Sequence, residues 1–276
     1  MDAGLDLSGK NVLVTGGSMG IGFAVAQACL RAGARVVIAA RDGSKVHEAV
    51  EELKAVSGSA QVEGAVADVT EIRQIDAALD LLASRFGPVT SLVHAAAVQG
   101  PIGEITMLDP DEWLEAVRID LFGAFLTARQ TCERLKKTGG RIVLFSGGGA
   151  TAPAPSFTAY GCSKVGVVRL AETIAIEMAP YGIEVNALAP GLVATRMLDQ
   201  TLAAGHRPTV EPVPSTLGAE AAAFLVSDLA SGITGKLLAA PYDDWRNWPQ
   251  RLRELQQSDA FTLRRIVPRD RGMDWQ

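Results

Sequence analysis

Cysteine is scarce in this 276-residue sequence. Cys29, Cys132 and Cys162 are odd in number, and no pair stands at metal-ligand spacing. That argues against a disulfide framework and against a metal site, and reduced thiols fit a cytoplasmic protein. A basic excess is also missing: the net charge is −5, whereas a general nucleic-acid binder is usually basic. No apolar run approaches the length that spans a bilayer. The first ten residues carry Asp2 and Asp6 instead of a basic start and an apolar stretch, so no signal peptide is expected. No internal repeat or low-complexity linker divides the chain.

What is present is ordinary globular composition, 48% hydrophobic and 21% charged, in a pattern that alternates. Strand-like runs at Asn11–Thr15, Arg35–Ala40, Gln61–Ala65, Ser91–Ala95, Arg141–Phe145 and Ile183–Leu188 are separated by amphipathic stretches. Helices are expected from the glycine turn to about Ala32, over Ser44–Val56, over Ile72–Phe86, and from an Asp109 or Asp111 cap to about Lys136. Phe157–Ala179 and Ala219–Leu229 read as further helices and Lys236–Ala240 as a last strand. Repeating βαβ units predict an α/β fold of Rossmann type, a doubly wound parallel sheet flanked by helices on both faces. The 276 residues form one domain in this reading, with residues 241–276 as a C-terminal extension.

Thr15-Gly16-Gly17-Ser18-Met19-Gly20-Ile21-Gly22 falls between the first strand and the first helix. Glycines there let the backbone approach a pyrophosphate, and the helix N-terminus supplies free N–H groups and the positive end of a dipole. Further along stand Tyr160-Gly161-Cys162-Ser163-Lys164, then Asn186-Ala187-Leu188-Ala189-Pro190-Gly191, with Asp68-Val69-Thr70 after the third strand. In this order and spacing the chain, from about Gly9 to Gly235, resembles the short-chain dehydrogenase/reductase family. The resemblance implies that Gly16, Ser18, Met19, Gly20, Ile21 and Gly22 hold the pyrophosphate. It implies that Asp68 and Val69 border the adenine, and that Val193 and Thr195, after Pro190 and Gly191, contact the nicotinamide carboxamide. His94-Ala95-Ala96-Ala97 replaces the family's Asn-Asn-Ala-Gly; Ala95 still permits close approach to the cofactor, and His94 reads as a packed histidine. At the end of the second strand an acid would hydrogen-bond the 2′-hydroxyl of NAD. Here Ala40 is followed by Arg41, whose guanidinium can pair with a phosphate. NADP(H) is therefore favoured over NAD(H).

Tyr160 and Lys164 are four apart on a predicted helix and share a face. An adjacent ammonium favours the phenolate and is expected to lower the tyrosine pKa. Tyr160 can then give a proton to a ketone or take one from an alcohol. The resemblance assigns it that role and gives Lys164 the nicotinamide ribose hydroxyls as well. Two partners depart from the family pattern. The serine expected thirteen residues before the tyrosine is Gly147, with Ser146 one residue early. Either Ser146 is re-aimed by the pliable glycines beside it or a backbone N–H of Gly147 or Gly148 donates instead. Asp120 stands where the family has asparagine; its main-chain carbonyl can serve the proton relay, and its charge would favour protonated Lys164.

Arg196–Ser215 reads as a partly irregular segment, and its part up to Pro214 as the substrate wall, joined by Gln99, Pro101 and Ile102. After Pro241 come Tyr242, Trp245, Trp248, Phe261 and Trp275 with seven arginines. This tail is expected to pack on its own subunit or a neighbour's, with the alternative that Arg264 or Arg265 reaches an anionic group at an active site. By resemblance the helices near Asp111–Lys136 and Phe157–Ala179 pair across a two-fold axis, giving a homodimer or homotetramer. Their apolar faces, including Val165, Val168, Ala171, Ala175 and Met178, mostly cover the sheet. The expected partner is a small-molecule alcohol or ketone, with a sugar or cyclitol considered; no nucleic acid and no membrane is expected. An epimerase or dehydratase using bound nicotinamide, or a non-catalytic cofactor-binding subunit, are the competing readings.

Overall fold

Runs of β-branched and aliphatic residues form seven strands in the computed structural model, which describes residues 5–274. They are β1 (Asn11–Thr15), β2 (Arg35–Ala40), β3 (Val62–Val66), β4 (Ser91–His94), β5 (Gly140–Phe145), β6 (Ile183–Ala189) and β7 (Leu237–Ala239). All pair in parallel, in the order β3-β2-β1-β4-β5-β6-β7. The order reverses between β1 and β4, which opens a crevice at the carboxyl ends of the strands where ligands bind in such sheets. Register brings Thr15 level with Ala39 and His94, and Phe145 level with Leu188. The residues just beyond those ends therefore meet in one place.

A parallel sheet buries both faces, and every residue of β1 is buried. Side chains alternate between the faces. Val12, Val14, Val36 and Ile38 pack with α1 (Gly20–Arg31), α2 (Gly43–Ser57) and α8 (Ser215–Val226). Leu13, Val37 and Leu92 pack on the other face with α3 (Ile72–Phe86), α5 (Gly123–Leu135) and α6 (Thr158–Met178). The two layers make this the doubly wound architecture predicted.

The predicted long helix to Lys136 is interrupted. Asp109 caps α4 (Pro110–Val117), its carboxylate accepting from the N–H groups of Asp111 and Glu112. A π-helical turn spans Arg118–Phe122 before α5 begins. Such a turn inserts a residue and rotates the helix beyond it, and these turns cluster at functional sites. The segment after Pro190-Gly191 is more ordered than expected, since α7 covers Arg196–Ala203.

The tail packs against the body of its own chain. A 3-10 segment (Trp245–Arg251) leads into α9 (Leu252–Gln257). Trp245, Trp248 and Leu255 are buried in the core that contains β1 and α8. At the open edge of the sheet, Leu237 N–H donates to Phe261 O at 2.7 Å, and the Lys236 ammonium donates to the carbonyls of Ser258 and Ala260 at 2.9 Å. Covering an edge in this way removes a template for unwanted strand pairing. Trp275 lies outside the described residues. Among the described residues no helix is long and apolar enough to cross a membrane.

Candidate active site

The glycine loop between β1 and α1 has the shape of an anion cradle. Gly16 sits at φ +67°, and a Cβ there would stand 2.8 Å from the backbone of Ala96. A Cβ on Gly22 would fall 2.3 Å from Gly16 O. Backbone meets backbone here, so only glycine fits. Met19 begins α1 without a side-chain cap, leaving the first-turn N–H groups for a ligand. Ile21 and Ala95 line the adjoining cleft with Pro190, Gly191, Val193 and Thr195. Ser18 belongs to the same loop, and Thr195 approaches its far side, with its Cγ2 3.5 Å from a Cβ built on Gly20. These residues fit a nicotinamide dinucleotide, whose nicotinamide when bound supplies the hydride donor or acceptor.

Arg41 comes directly after β2, where the resemblance would place the adenine end of the cofactor. Its guanidinium is 57% exposed and 3.9 Å from the Asp68 carboxylate. That carboxylate is already fixed by the N–H and hydroxyl of Thr70, both at 2.8 Å. Val69 is buried, and its side chain packs toward Gly123.

On α6, Tyr160 and Lys164 lie one turn apart, with the ammonium 5.3 Å from the tyrosine ring centroid. Trp113 Nε1 donates to Thr158 Oγ1 at 3.1 Å, tying α4 to the start of this helix. Lys164 is almost wholly buried; its Nζ is 3.4 Å from Asp120 Oδ2 and 3.4 Å from Phe145 O. Asp120, within the π turn, reaches it through its buried side chain. The other oxygen, Oδ1, accepts from Val98 N–H at 2.8 Å. Of the two contributions that the sequence offered for Asp120, the side-chain charge is the one that the fold brings to Lys164.

One choice left open by the sequence narrows here, and one expectation is corrected. Ser146 lines the cleft, but its hydroxyl donates to Lys164 O at 3.0 Å. Its one hydrogen goes to the backbone of α6, which favours the second of the two readings left open by the sequence, donation by a backbone N–H of Gly147 or Gly148. The correction concerns Tyr160. Its pKa is raised above the ordinary tyrosine value, first by burial; the Lys164 ammonium opposes this and the Asp120 carboxylate reinforces it. The ammonium alone was expected to lower it, and desolvation is the larger effect.

His94, at the end of β4, pairs through Nδ1 with Thr15 Oγ1 at 3.0 Å. Burial, with the Lys164 charge adding to it, pushes its pKa down to about 3. It is a packed, neutral imidazole, as the sequence suggested.

The cleft holds about 440 Å³. Its far side is formed by Gly147, Gly148, Gly149, Phe157, Met197, Leu198 and Val210, with Pro241 and Tyr242 from the start of the tail. Among the described residues lining it, Lys164 alone is charged. Gln99 joins the wall as expected, whereas Pro101 and Ile102 do not line this cleft. The contribution of Pro241 and Tyr242 was missed, since nothing in the sequence says where a tail returns. Arg264 takes no part: Asp259 holds it at 2.6 Å and Asp270 at 2.7 Å. Arg265 is likewise absent from the lining.

The short chain dehydrogenase model matches residues 10–204, more than half of the sequence. The chain belongs to the short-chain dehydrogenase family. Its members among the relatives include the (5R,7aS)-5-hydroxy-7a-methyl-1-oxo-2,3,5,6,7,7a-hexahydro-1H-indene-carboxyl-CoA reductase of Mycobacterium tuberculosis, 34% identical over 244 residues, covering 84% of this chain and 92% of that one. Among solved structures, an actinorhodin polyketide ketoreductase with NADPH superposes with a TM-score of 0.77 at 28% identity, over 83% of this chain and 95% of that one. An NAD+-bound xylitol dehydrogenase does so with a TM-score of 0.77 at 25% identity, over 84% and 97%. This short-chain dehydrogenase is accordingly an NAD(P)-dependent oxidoreductase with a small-molecule substrate.

Proposed function

We propose that the enzyme interconverts a ketone and a secondary alcohol with NADP(H), using Tyr160 as general acid/base and Lys164 as its charged neighbour and ribose ligand. The observation that carries this reading is the Tyr160 phenol beside Gly147, in the wall of a cleft that the glycine loop also enters. A proton donor within reach of a bound carbonyl is the first requirement of general acid catalysis. The hydroxyl of Ser146 being engaged, the second donor to the substrate oxygen falls to main-chain N–H groups of Gly147 to Gly149. Those of Gly148 and Gly149 begin a short 3-10 turn, where they have no acceptor within the turn.

Arg41 supports NADP(H). The last residue of β2 is Ala40 and not an acid, and the guanidinium of Arg41 beside it, 57% exposed and only loosely paired with Asp68 at 3.9 Å, can bind a 2′-phosphate. The walls of the cleft support a neutral, largely apolar substrate over the sugar or cyclitol considered from sequence. Each polyol hydroxyl left without a partner against the apolar residues of this wall would cost about 1–3 kcal/mol. For assembly, Phe125 on α5 with Val165 and Ile176 on α6 leave apolar surface exposed, which favours pairing of these helices in a homodimer or homotetramer.

The test monitors NADPH or NADH absorbance with bicyclic ketones and a keto-cyclitol of similar size. Faster reduction of the bicyclic ketones with NADPH is expected. Turnover of the keto-cyclitol alone would overturn the substrate class, and equal use of NADH would overturn the cofactor preference.

A further inference from the structure

The carboxylate of Asp120 is an unusual neighbour for a catalytic lysine. It is 1% exposed and Lys164 is 3% exposed, so water screens neither charge. The π turn over Arg118–Phe122 and the Val98 N–H fix its direction. Its Oδ2 has no hydrogen-bond partner and faces the ammonium at 3.4 Å. We propose that Asp120 is a positioning residue that acts electrostatically. It sets a buried negative charge against Lys164, keeps the Tyr160 phenol protonated into alkaline conditions, and so widens the pH range over which the site can protonate a ketone. This rests on the ketone–alcohol reading above.

The argument is a charge count. Burial pushes the Asp120 carboxyl above the usual carboxylate range, and the Lys164 ammonium and the Val98 N–H oppose that shift. With Asp120 ionised against the ammonium at 3.4 Å and Tyr160 neutral, the two charges cancel. Ionising the half-buried phenol then leaves the cluster with one net negative charge. With an uncharged amide in place of Asp120, the same ionisation would turn a net positive cluster into a neutral one. In a low-dielectric interior that difference weighs far more than it would in water. The groups that face Lys164 from other elements do not alter the count. From β4, His94 is buried and neutral. From β5, Phe145 offers only its carbonyl. Within α6 itself, Tyr160 is the other ionisable group of the cluster, and its raised pKa, to which the Asp120 charge contributes, agrees in direction.

The chemistry balances without further reagents. The carbonyl carbon takes a hydride from the reduced cofactor, and the oxygen takes the Tyr160 proton as the phenolic O–H bond breaks. Solvent then reprotonates the phenolate. The equilibrium between ketone and alcohol is unaffected; what Asp120 moves is the pH at which the acid form of the site is lost.

Asp120→Asn is the decisive variant, since its amide oxygen can still accept from Val98 N–H. Two readouts are compared with the unsubstituted enzyme: kcat/KM for ketone reduction against pH at saturating NADPH, and the ultraviolet phenolate titration. The latter is taken as the difference between each protein and its Tyr160→Phe counterpart, which removes Tyr181 and Tyr242 from the signal. Both midpoints are expected to move to lower pH. On the alkaline side, reduction falls about tenfold relative to the unsubstituted enzyme for each unit moved. Midpoints that stay in place while the rate falls equally at every pH would show a purely structural Asp120 and overturn the proposal; so would an upward shift. If the amide variant is poorly folded, Asp120→Ser removes the charge with less bulk and is held to the same two outcomes. The phenolate titration needs no turnover. A downward shift in a protein that reduces no ketone would uphold the charge relation and count against the ketone–alcohol reading alone.

Discussion

The Tyr160 hydroxyl lies 2.6 Å from the point where a Cβ on Gly147 would stand. Glycine at 147 is what gives the phenol its room, so the departure from the family's serine and the placement of the tyrosine are one feature. Gly147→Ser is therefore expected to harm the enzyme, although it restores the family pattern. Crowding of this kind costs about 1–3 kcal/mol, and the ring of Tyr160 must shift to relieve it. Thermal unfolding and ketone reduction should both decline, with kcat falling about tenfold or more for a misplaced acid. A gain in kcat would show that the phenol is free to move.

Arg41→Ala should separate the two cofactors. Losing a charge-assisted contact to phosphate is worth about 1.5–3 kcal/mol, or roughly 10- to 100-fold in KM for NADPH. KM for NADH should hardly change. Equal losses for both cofactors would assign Arg41 to the fold, through its 3.9 Å approach to Asp68.

Acid should weaken the fold through His94. Its folded pKa is about 3 against an ordinary 6.5. Above 6.5 both the folded and the unfolded forms are neutral, and the stability is fully present. As pH falls from 6.5 toward 3, the unfolded chain takes up a proton that the folded chain refuses. Stability is then lost at up to about 1.4 kcal/mol per pH unit. Urea unfolding across this range should be steeper in pH for the unsubstituted protein than for His94→Asn. Parallel slopes would remove His94 as the cause.

The tail should behave as part of the core. Trp248 is buried, and its ring centroid is 4.7 Å from that of Phe261. Trp248→Ala is expected to cost about 3–5 kcal/mol. Because Phe261 O also covers Leu237 N–H at the sheet edge, the variant should aggregate more readily than a surface substitution such as Arg253→Ala. An unchanged unfolding midpoint would show a tail that docks without stabilising.

Much of the architecture is legible in the residues themselves. The limits of Asn11–Thr15 and Ile72–Phe86 agree with β1 and α3, because their apolar periodicity is strong and their flanks carry clear turn residues. The sequence leaves the cap of the fourth helix between Asp109 and Asp111, and Asp109 fills it. The π turn at Arg118–Phe122 is not legible, since one inserted residue barely disturbs a helical period. Asp120 lies within that turn, and its carboxylate meets Lys164. Ser146 stays open in the sequence because a strand end fixes a face only when its partners are known, and its partner, Lys164 O, lies eighteen residues away. The sign of the Tyr160 shift depends on burial, which a spacing of four residues does not reveal. The arginines of the tail suggest anion binding until Asp259 and Asp270 are seen to hold Arg264.

The central claim is that Tyr160 is the acid/base of a nicotinamide-dependent ketone reductase. It is tested most directly by Tyr160→Phe, monitoring NADPH absorbance with a ketone that the unsubstituted enzyme reduces and NADPH binding by fluorescence in parallel. General acid catalysis contributes about 10²–10⁴-fold, so the account predicts a loss of that order in kcat with NADPH binding retained. Reduction at an undiminished rate in the phenylalanine variant would contradict it.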